Sequence, residues 1–143
     1  MPYPAAEAYV PCGPRAMKPS NHAERHVVVL GASSKPLRYS NQAVRLLLEK
    51  GYRVTPVHPR LEIIEGLPVA PGLQAVQQPV DTLTLYVGPE RLKPLIDDVL
   101  LLKPKRVIFN PGTESAELKS RLEHAGIHWL EACTLVLLRI GTF

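Results

Sequence analysis

Cysteine is scarce in this chain: Cys12 and Cys133 are the two present. Thiols so few, one in a proline-rich leader and one near the far end, cannot build a disulfide framework or a cysteine-ligated metal centre, and they suit a reducing cytosol. Aromatic residues make up 6% of the chain, and the single tryptophan, Trp129, lies in a strand-like run that reads as core. A net charge of +4 is compatible with nucleic acid, a membrane surface or an anionic small ligand. The lack of long Lys/Arg blocks and of RNP, zinc-finger or heptad patterns argues against nucleic acid. No apolar run approaches the ~20 residues of a membrane span. Residues 1–19 are interrupted by Pro2, Pro4, Pro11, Pro14 and Pro19 and contain no apolar stretch of the kind a signal peptide needs. The expectation is a soluble, cytoplasmic protein without a metal. Residues 1–25 would form an extended or disordered arm, and residues 26–143 one domain with a single core.

What the chain does have is a regular alternation. VVVLG, starting at Val27, is a short apolar strand, and the helix after it puts Val44, Leu47 and Leu48 on one face with Gly51 as its stop. Residues 52–59 (YRVTPVHP) predict a second strand, and residues 60–78 a turn-rich connection. VDTLTLYVG predicts the third strand. The following PERLKPLIDDVLLLK reads as one helix, with Leu92, Leu95, Ile96 and Val99 on a face and Pro94 near its first turn. RVIFN, a helix ending at Gly126, the strand HWLEAC and a helix-like TLVLLRIG complete the pattern. Short apolar strands separated by amphipathic helices predict an α/β fold, a doubly wound, mainly parallel sheet of about five strands, Rossmann-like.

In such sheets ligands bind beyond the carboxyl ends of the strands. Four loops therefore matter. The first holds Gly31, Ala32, Ser33, Ser34, Lys35, Arg38, Tyr39 and Ser40. Glycine lets backbone approach a ligand, hydroxyls and amides bond phosphate oxygens, two cations neutralise them, and a helix start adds its positive dipole end. The second offers Val57, His58, Pro59 and Arg60, the third Gly88 and Pro89, and the fourth Asn110, Pro111, Gly112 and Thr113. A dinucleotide fingerprint wants Gly-x-Gly-x-x-Gly and an acid about 20 residues on. Here Gly31 stands alone, and His58 and Arg60 occupy the place of the acid. A cation there suits a phosphorylated ribose, which both NADP and coenzyme A carry, and disfavours NAD.

The segments VVVLGASSKPLRYSNQAVRLLLEKGYRVTPVHPR, DTLTLYVGPE, RVIFNPGTES and EACTLVLL closely resemble the small stand-alone CoA-binding domain proteins, relatives of the nucleotide-binding domain of succinyl-CoA ligase α subunits. The resemblance covers residues 26–143. It implies that Gly31, Ser33, Lys35, Arg38 and Ser40 meet a pyrophosphate, that Val57, His58, Pro59 and Arg60 surround adenosine and its ribose phosphate, and that Asn110, Pro111, Gly112 and Thr113 form a neighbouring rim. His58 stands where the family usually has Asn. The function implied is binding of CoA or an acyl-CoA, as a module or regulator without its own catalytic apparatus. A homodimer or a partner enzyme stays open. The alternative is an NADP-dependent or CoA-thiol redox enzyme, with Cys133 at the end of the last strand as the thiol, activated by the helix that follows. The remaining histidines, His22, His26, His124 and His128, read as structural.

Overall fold

The computed structural model describes residues 21–143. Most of the proline-rich arm, with Cys12, lies outside the described residues. Its last part, Asn21–Glu24, is a 3-10 turn, and Arg25 joins the domain by accepting a hydrogen bond from the Arg53 N–H at its carbonyl.

In chain order the elements are β1 (His26–Leu30), α1 (Tyr39–Glu49), β2 (Arg53–Val57), β3 (Ile63–Ile64), β4 (Leu67–Pro68), β5 (Thr82–Leu85), α2 (Pro89–Leu92), α3 (Ile96–Leu102), β6 (Arg106–Phe109), α4 (Ala116–His124), β7 (His128–Glu131) and α5 (Thr134–Ile140). Five strands form one sheet in the order β2-β1-β5-β6-β7, every neighbouring pair parallel. This is the doubly wound arrangement expected from the sequence.

The strand period of two explains why β1 is apolar throughout. Val27 and Val29 point to the face packed by Val44 and Leu47 of α1 and Leu138 of α5. Val28 and Leu30 point to the other, where Leu83, Val107 and Phe109 meet Val99, Leu118 and Leu122. Each such buried side chain stabilises the fold by roughly 1.5–3 kcal/mol. Two helices end alike. In α1 the N–H groups of Gly51 and Tyr52 return to the Leu48 and Leu47 carbonyls, and in α4 those of Gly126 and Ile127 return to Glu123 and Leu122. Both are Schellman closures that drop the chain straight into the next strand.

Two features depart from the sequence reading. The helix expected from Pro89 to Lys103 is broken into α2, a 3-10 turn at Lys93–Leu95, and α3. Pro94 has no N–H to donate and its ring crowds the preceding turn, so the α-helical ladder cannot run through it. The connection after β2 also contains a small antiparallel hairpin, β3 paired with β4, whose Ile64 is 1% exposed against the α1 face of the sheet.

Candidate ligand site at the carboxyl edge of the sheet

From β1 the chain moves to one side to make β2, then crosses to the other side to make β5. The order reverses between β1 and β5, and all five carboxyl ends lie on one edge because every strand runs the same way. The four loops singled out in the sequence are the loops at that edge. A crevice at such a reversal is where an open α/β sheet takes its ligand.

The loop after β1 is tied down at both ends. The N–H groups of Gly31 and Ala32 donate to the Val57 carbonyl at 3.3 and 3.2 Å, joining the first loop to the end of β2. Gly31 has φ +88, and a Cβ there would lie 2.8 Å from the Val87 side chain and 3.0 Å from the Tyr86 carbonyl. The need for glycine at 31 thus comes from left-handed backbone and tight packing on the loop after β5. Further on, the Ser33 hydroxyl accepts from the Lys35 N–H at 3.1 Å. Asn41 Nδ2 donates to the Ser33 carbonyl at 2.8 Å, and Arg45 donates to the Pro36 carbonyl at 2.8 Å.

Helix α1 begins at Tyr39 without any side-chain cap. Its first-turn N–H groups, on Tyr39, Ser40 and Asn41, have no intrahelical acceptor, and they carry the positive end of the dipole. Ser40 is buried as the second residue of the helix, whereas Lys35, Arg38 and Tyr39 are exposed. Three ion pairs occur among the described residues: Arg25–Asp81, Lys119–Glu131 and Arg121–Asp97. Lys35, Arg38 and Arg60 take part in none of them.

At the end of β2, His58 turns back on its own loop. Its Nδ1 accepts the N–H groups of Arg60 and Leu61, each at 3.0 Å. The ring therefore does what an asparagine side chain does in an Asx turn, and it leaves exposed Arg60 facing solvent. Burial holds the His58 pKa below its ordinary value, and the charges of Arg60 and Arg91 push the same way. Neutral imidazole is the form that can accept both amides. Arg91, from the first turn of α2, was not singled out in the sequence; no local pattern connects it to a loop more than thirty residues earlier.

Gly88 precedes α2 at the reversal point. Its φ is −70, and a Cβ built on it would meet nothing within 4 Å. Neither strain nor crowding inside the chain requires glycine here. As an N-cap the position favours Ser, Thr, Asn or Asp.

The fourth loop works differently. Asn110 is 3% exposed, and its amide donates to Thr84 Oγ1 at 2.7 Å and the Leu85 carbonyl at 2.8 Å, while its oxygen accepts the Thr134 N–H at 2.8 Å. This side chain links β5, β6 and α5 and is used up within the fold. Thr113, also buried, donates its hydroxyl to the Asn110 carbonyl at 2.7 Å. Exposed Pro111 and Gly112 form the outer rim, where the Glu114 carboxylate already accepts the Gly112 N–H. Cys133 is half-buried and immediately precedes α5. The Tyr86 phenol is pushed up to about 12 by burial, and a charge on Cys133 would raise it further. The Thr84 and Thr134 hydroxyls pull the other way without completing a hydrogen bond to it. Among the described residues no group of three or more His, Cys, Asp and Glu is arranged to hold a metal, and no helix is long and apolar enough to cross a membrane.

Residues 25–139 match the family described as CoA binding domain. The chain belongs to the CoA-binding domain family. A crystal structure of an uncharacterized protein is 37% identical to this CoA-binding domain, with a TM-score of 0.74 over 83% of this chain and 98% of the other. The dinucleotide-forming acetyl-coenzyme A synthetase 1 of Ca. Korarchaeum cryptofilum contains a similar fold at 23% identity and a TM-score of 0.65, over 82% of this chain and 28% of the synthetase. Among curated proteins, the uncharacterized protein YneT of Bacillus subtilis (strain 168) is 24% identical over 76 residues, 53% of this chain. The aligned part is 56% of YneT, so the match spans a little over half of that relative's length.

Proposed function

We propose that this domain binds coenzyme A or an acyl-CoA at the carboxyl edge of its sheet and acts as a binding module or regulator, without catalytic groups of its own. The observation that carries the reading is the uncapped start of α1, flanked by Lys35 and Arg38 that have no ion-pair partner among the described residues, at the point where strand order reverses. Coenzyme A brings a pyrophosphate, a ribose 3′-phosphate and a flexible arm ending in a thiol. First-turn amides of α1 without an intrahelical acceptor, the Ser33 and Ser34 hydroxyls and the two cations match the pyrophosphate, and Arg60 matches the ribose phosphate. Gly88 supports the same reading, since the open space beside it is where a ligand would press closest to backbone.

A thermal-shift series with CoA, acetyl-CoA, NADP and NAD tests this, because a ligand of the folded state raises the melting temperature by mass action. The expected order is CoA and acetyl-CoA well above NADP, with NAD inert. Stabilisation by NADP alone would replace this reading with a reductase. A second reading, CoA-thiol redox chemistry, has one observation in its favour: Cys133 lies at the same edge, close to Tyr86. In that reaction a sulfur–sulfur bond forms between Cys133 and CoA, and the two thiols give up two protons and two electrons to an oxidant such as diamide. Loss of the CoA adduct in Cys133→Ser, with CoA affinity retained, would establish it.

A further inference from the structure

A carboxylate is an unexpected neighbour for a phosphate loop, yet Glu65 is aimed at this one. It sits at the tip of the hairpin, in the two-residue turn Glu65–Gly66 between β3 and β4. The φ at Glu65 is +50, a left-handed conformation that at this position favours Asn, Asp or Gly. Strain of this kind persists where the surroundings hold it and where it serves a site. Its Oε2 accepts a hydrogen bond from Asn41 Nδ2 at 3.0 Å, across 24 residues of sequence.

Asn41 is fully buried in the first turn of α1. Its other Nδ2 hydrogen goes to the Ser33 carbonyl, and its oxygen accepts Arg45 Nε at 2.8 Å. Arg45 in turn donates to the Pro36 carbonyl. Two points of the phosphate loop, Ser33 and Pro36, are thus held by one chain of hydrogen bonds whose far end is Glu65. A trans peptide points its N–H opposite to its carbonyl. Holding the Ser33 carbonyl toward α1 therefore turns the Ser34 N–H away from α1. The hairpin that presents Glu65 is itself fixed, by buried Ile64 and by the Val69 N–H donating to the Glu62 carbonyl at 2.9 Å.

We infer that Glu65 is a positioning residue for the ligand loop: acting through Asn41, it pre-organises Ser33 to Arg38 before ligand arrives. This rests on the reading of that loop as the CoA site. Without Glu65 one buried Asn41 N–H loses its acceptor, the amide is free to turn, and the Ser33 carbonyl is released.

Three variants test it: Glu65→Gln, which keeps an acceptor and removes the charge, and Glu65→Ala and Glu65→Gly, which remove both. In ligand-free protein, amide hydrogen exchange across residues 33–39 is expected to speed up about tenfold in the alanine and glycine variants and to stay at the wild-type rate in glutamine. CoA affinity by calorimetry is expected to fall about fivefold in the same two and to hold or tighten in glutamine, which no longer repels the anion. Wild-type exchange and affinity in Glu65→Ala would overturn the inference. So would a glutamine variant as impaired as alanine, since that result assigns the effect to charge. If wild-type protein fails to bind CoA, the CoA reading falls, and the exchange comparison alone decides whether Glu65 holds the loop.

Discussion

The two edges of the sheet use the same kinds of residue to opposite ends. At the amino edge Arg25 and Arg106 are engaged by the fold, although one buried nitrogen of Arg106, Nη2, has no partner and exposed Lys105 joins none of the ion pairs among the described residues. Arg25 pairs with Asp81 at 3.2 Å, lies over the rings of Tyr52 and Phe143, and donates to the Phe143 carbonyl. Arg106 donates to Thr82 and lies 4.5 Å from the centre of the Phe143 ring. Buried His26 bonds the Pro79 carbonyl through Nδ1 and the Thr55 hydroxyl through Nε2. A hollow of about 300 Å³ opens there, with Arg25, His26, Asp81 and Lys105 on its walls, but two of its charges already neutralise one another. At the carboxyl edge Lys35, Arg38 and Arg60 are exposed and join none of the ion pairs among the described residues. The proposed division is that Arg25 and His26 hold the fold together while Lys35, Arg38 and Arg60 are left for a ligand.

The sharpest challenge to that division is Asn110, which belongs to the carboxyl edge but has every partner inside. Asn110→Ala is expected to lose about 3 kcal/mol of stability, read by urea denaturation, because it strands the Thr134 N–H and opens a buried network. CoA affinity of the molecules that remain folded should change far less. The converse holds for Lys35→Ala with Arg38→Ala. Calorimetry should show affinity down about 100-fold, from two lost charge-assisted contacts, with the melting temperature nearly unmoved. Arg25→Ala, at the other edge, should lower stability by about 1 kcal/mol and leave affinity alone. A smaller effect is expected from Gly88→Ser, which improves the α2 cap while filling the open space: affinity about tenfold weaker, thermal stability equal or higher. A Gly88→Ser protein that binds CoA normally would remove Gly88 from the site.

Acid provides the mildest probe. His26 has a pKa below its ordinary value, chiefly through burial. The unfolded chain therefore takes up its proton first, near pH 6.5, and stability contributed by the neutral ring is present above that pH and is lost as pH falls toward the folded value. His58 shifts in the same direction, with the same sign. His58→Asn keeps an acceptor for the two loop amides and is expected to make CoA binding less sensitive to pH between about 7 and 5. Denaturation and calorimetry across that range separate the two histidines.

Most of the architecture was legible because each strand and helix announces itself locally. The four apolar residues Val27 to Leu30, the face of Val44 and Leu47, and the stops at Gly51 and Gly126 are patterns within a few residues. The hairpin was missed because its strands are two residues each, too short for any period to register. The break at Pro94 was underweighted because the apolar spacing of Leu92, Ile96 and Val99 survives it. At the site, the loops were legible from strand ends and glycines, but the duties within them were not. Gly31 reads as a ligand contact in sequence, and the structure adds a requirement for glycine that no local pattern shows, the close approach of Tyr86 and Val87. His58 reads as a departure from asparagine and bonds as one would. The Glu65–Asn41 link joins residues 24 apart through side chains alone, and no local signal records it.

The central claim is that the carboxyl edge holds unpartnered cations for the phosphates of CoA. Titrating wild-type and Arg60→Ala protein with CoA and with dephospho-CoA tests it most directly. Wild-type protein is expected to prefer CoA about tenfold, and Arg60→Ala to bind both equally, at the level of dephospho-CoA. Failure of wild-type protein to bind CoA, or a full tenfold preference surviving in Arg60→Ala, would contradict the account.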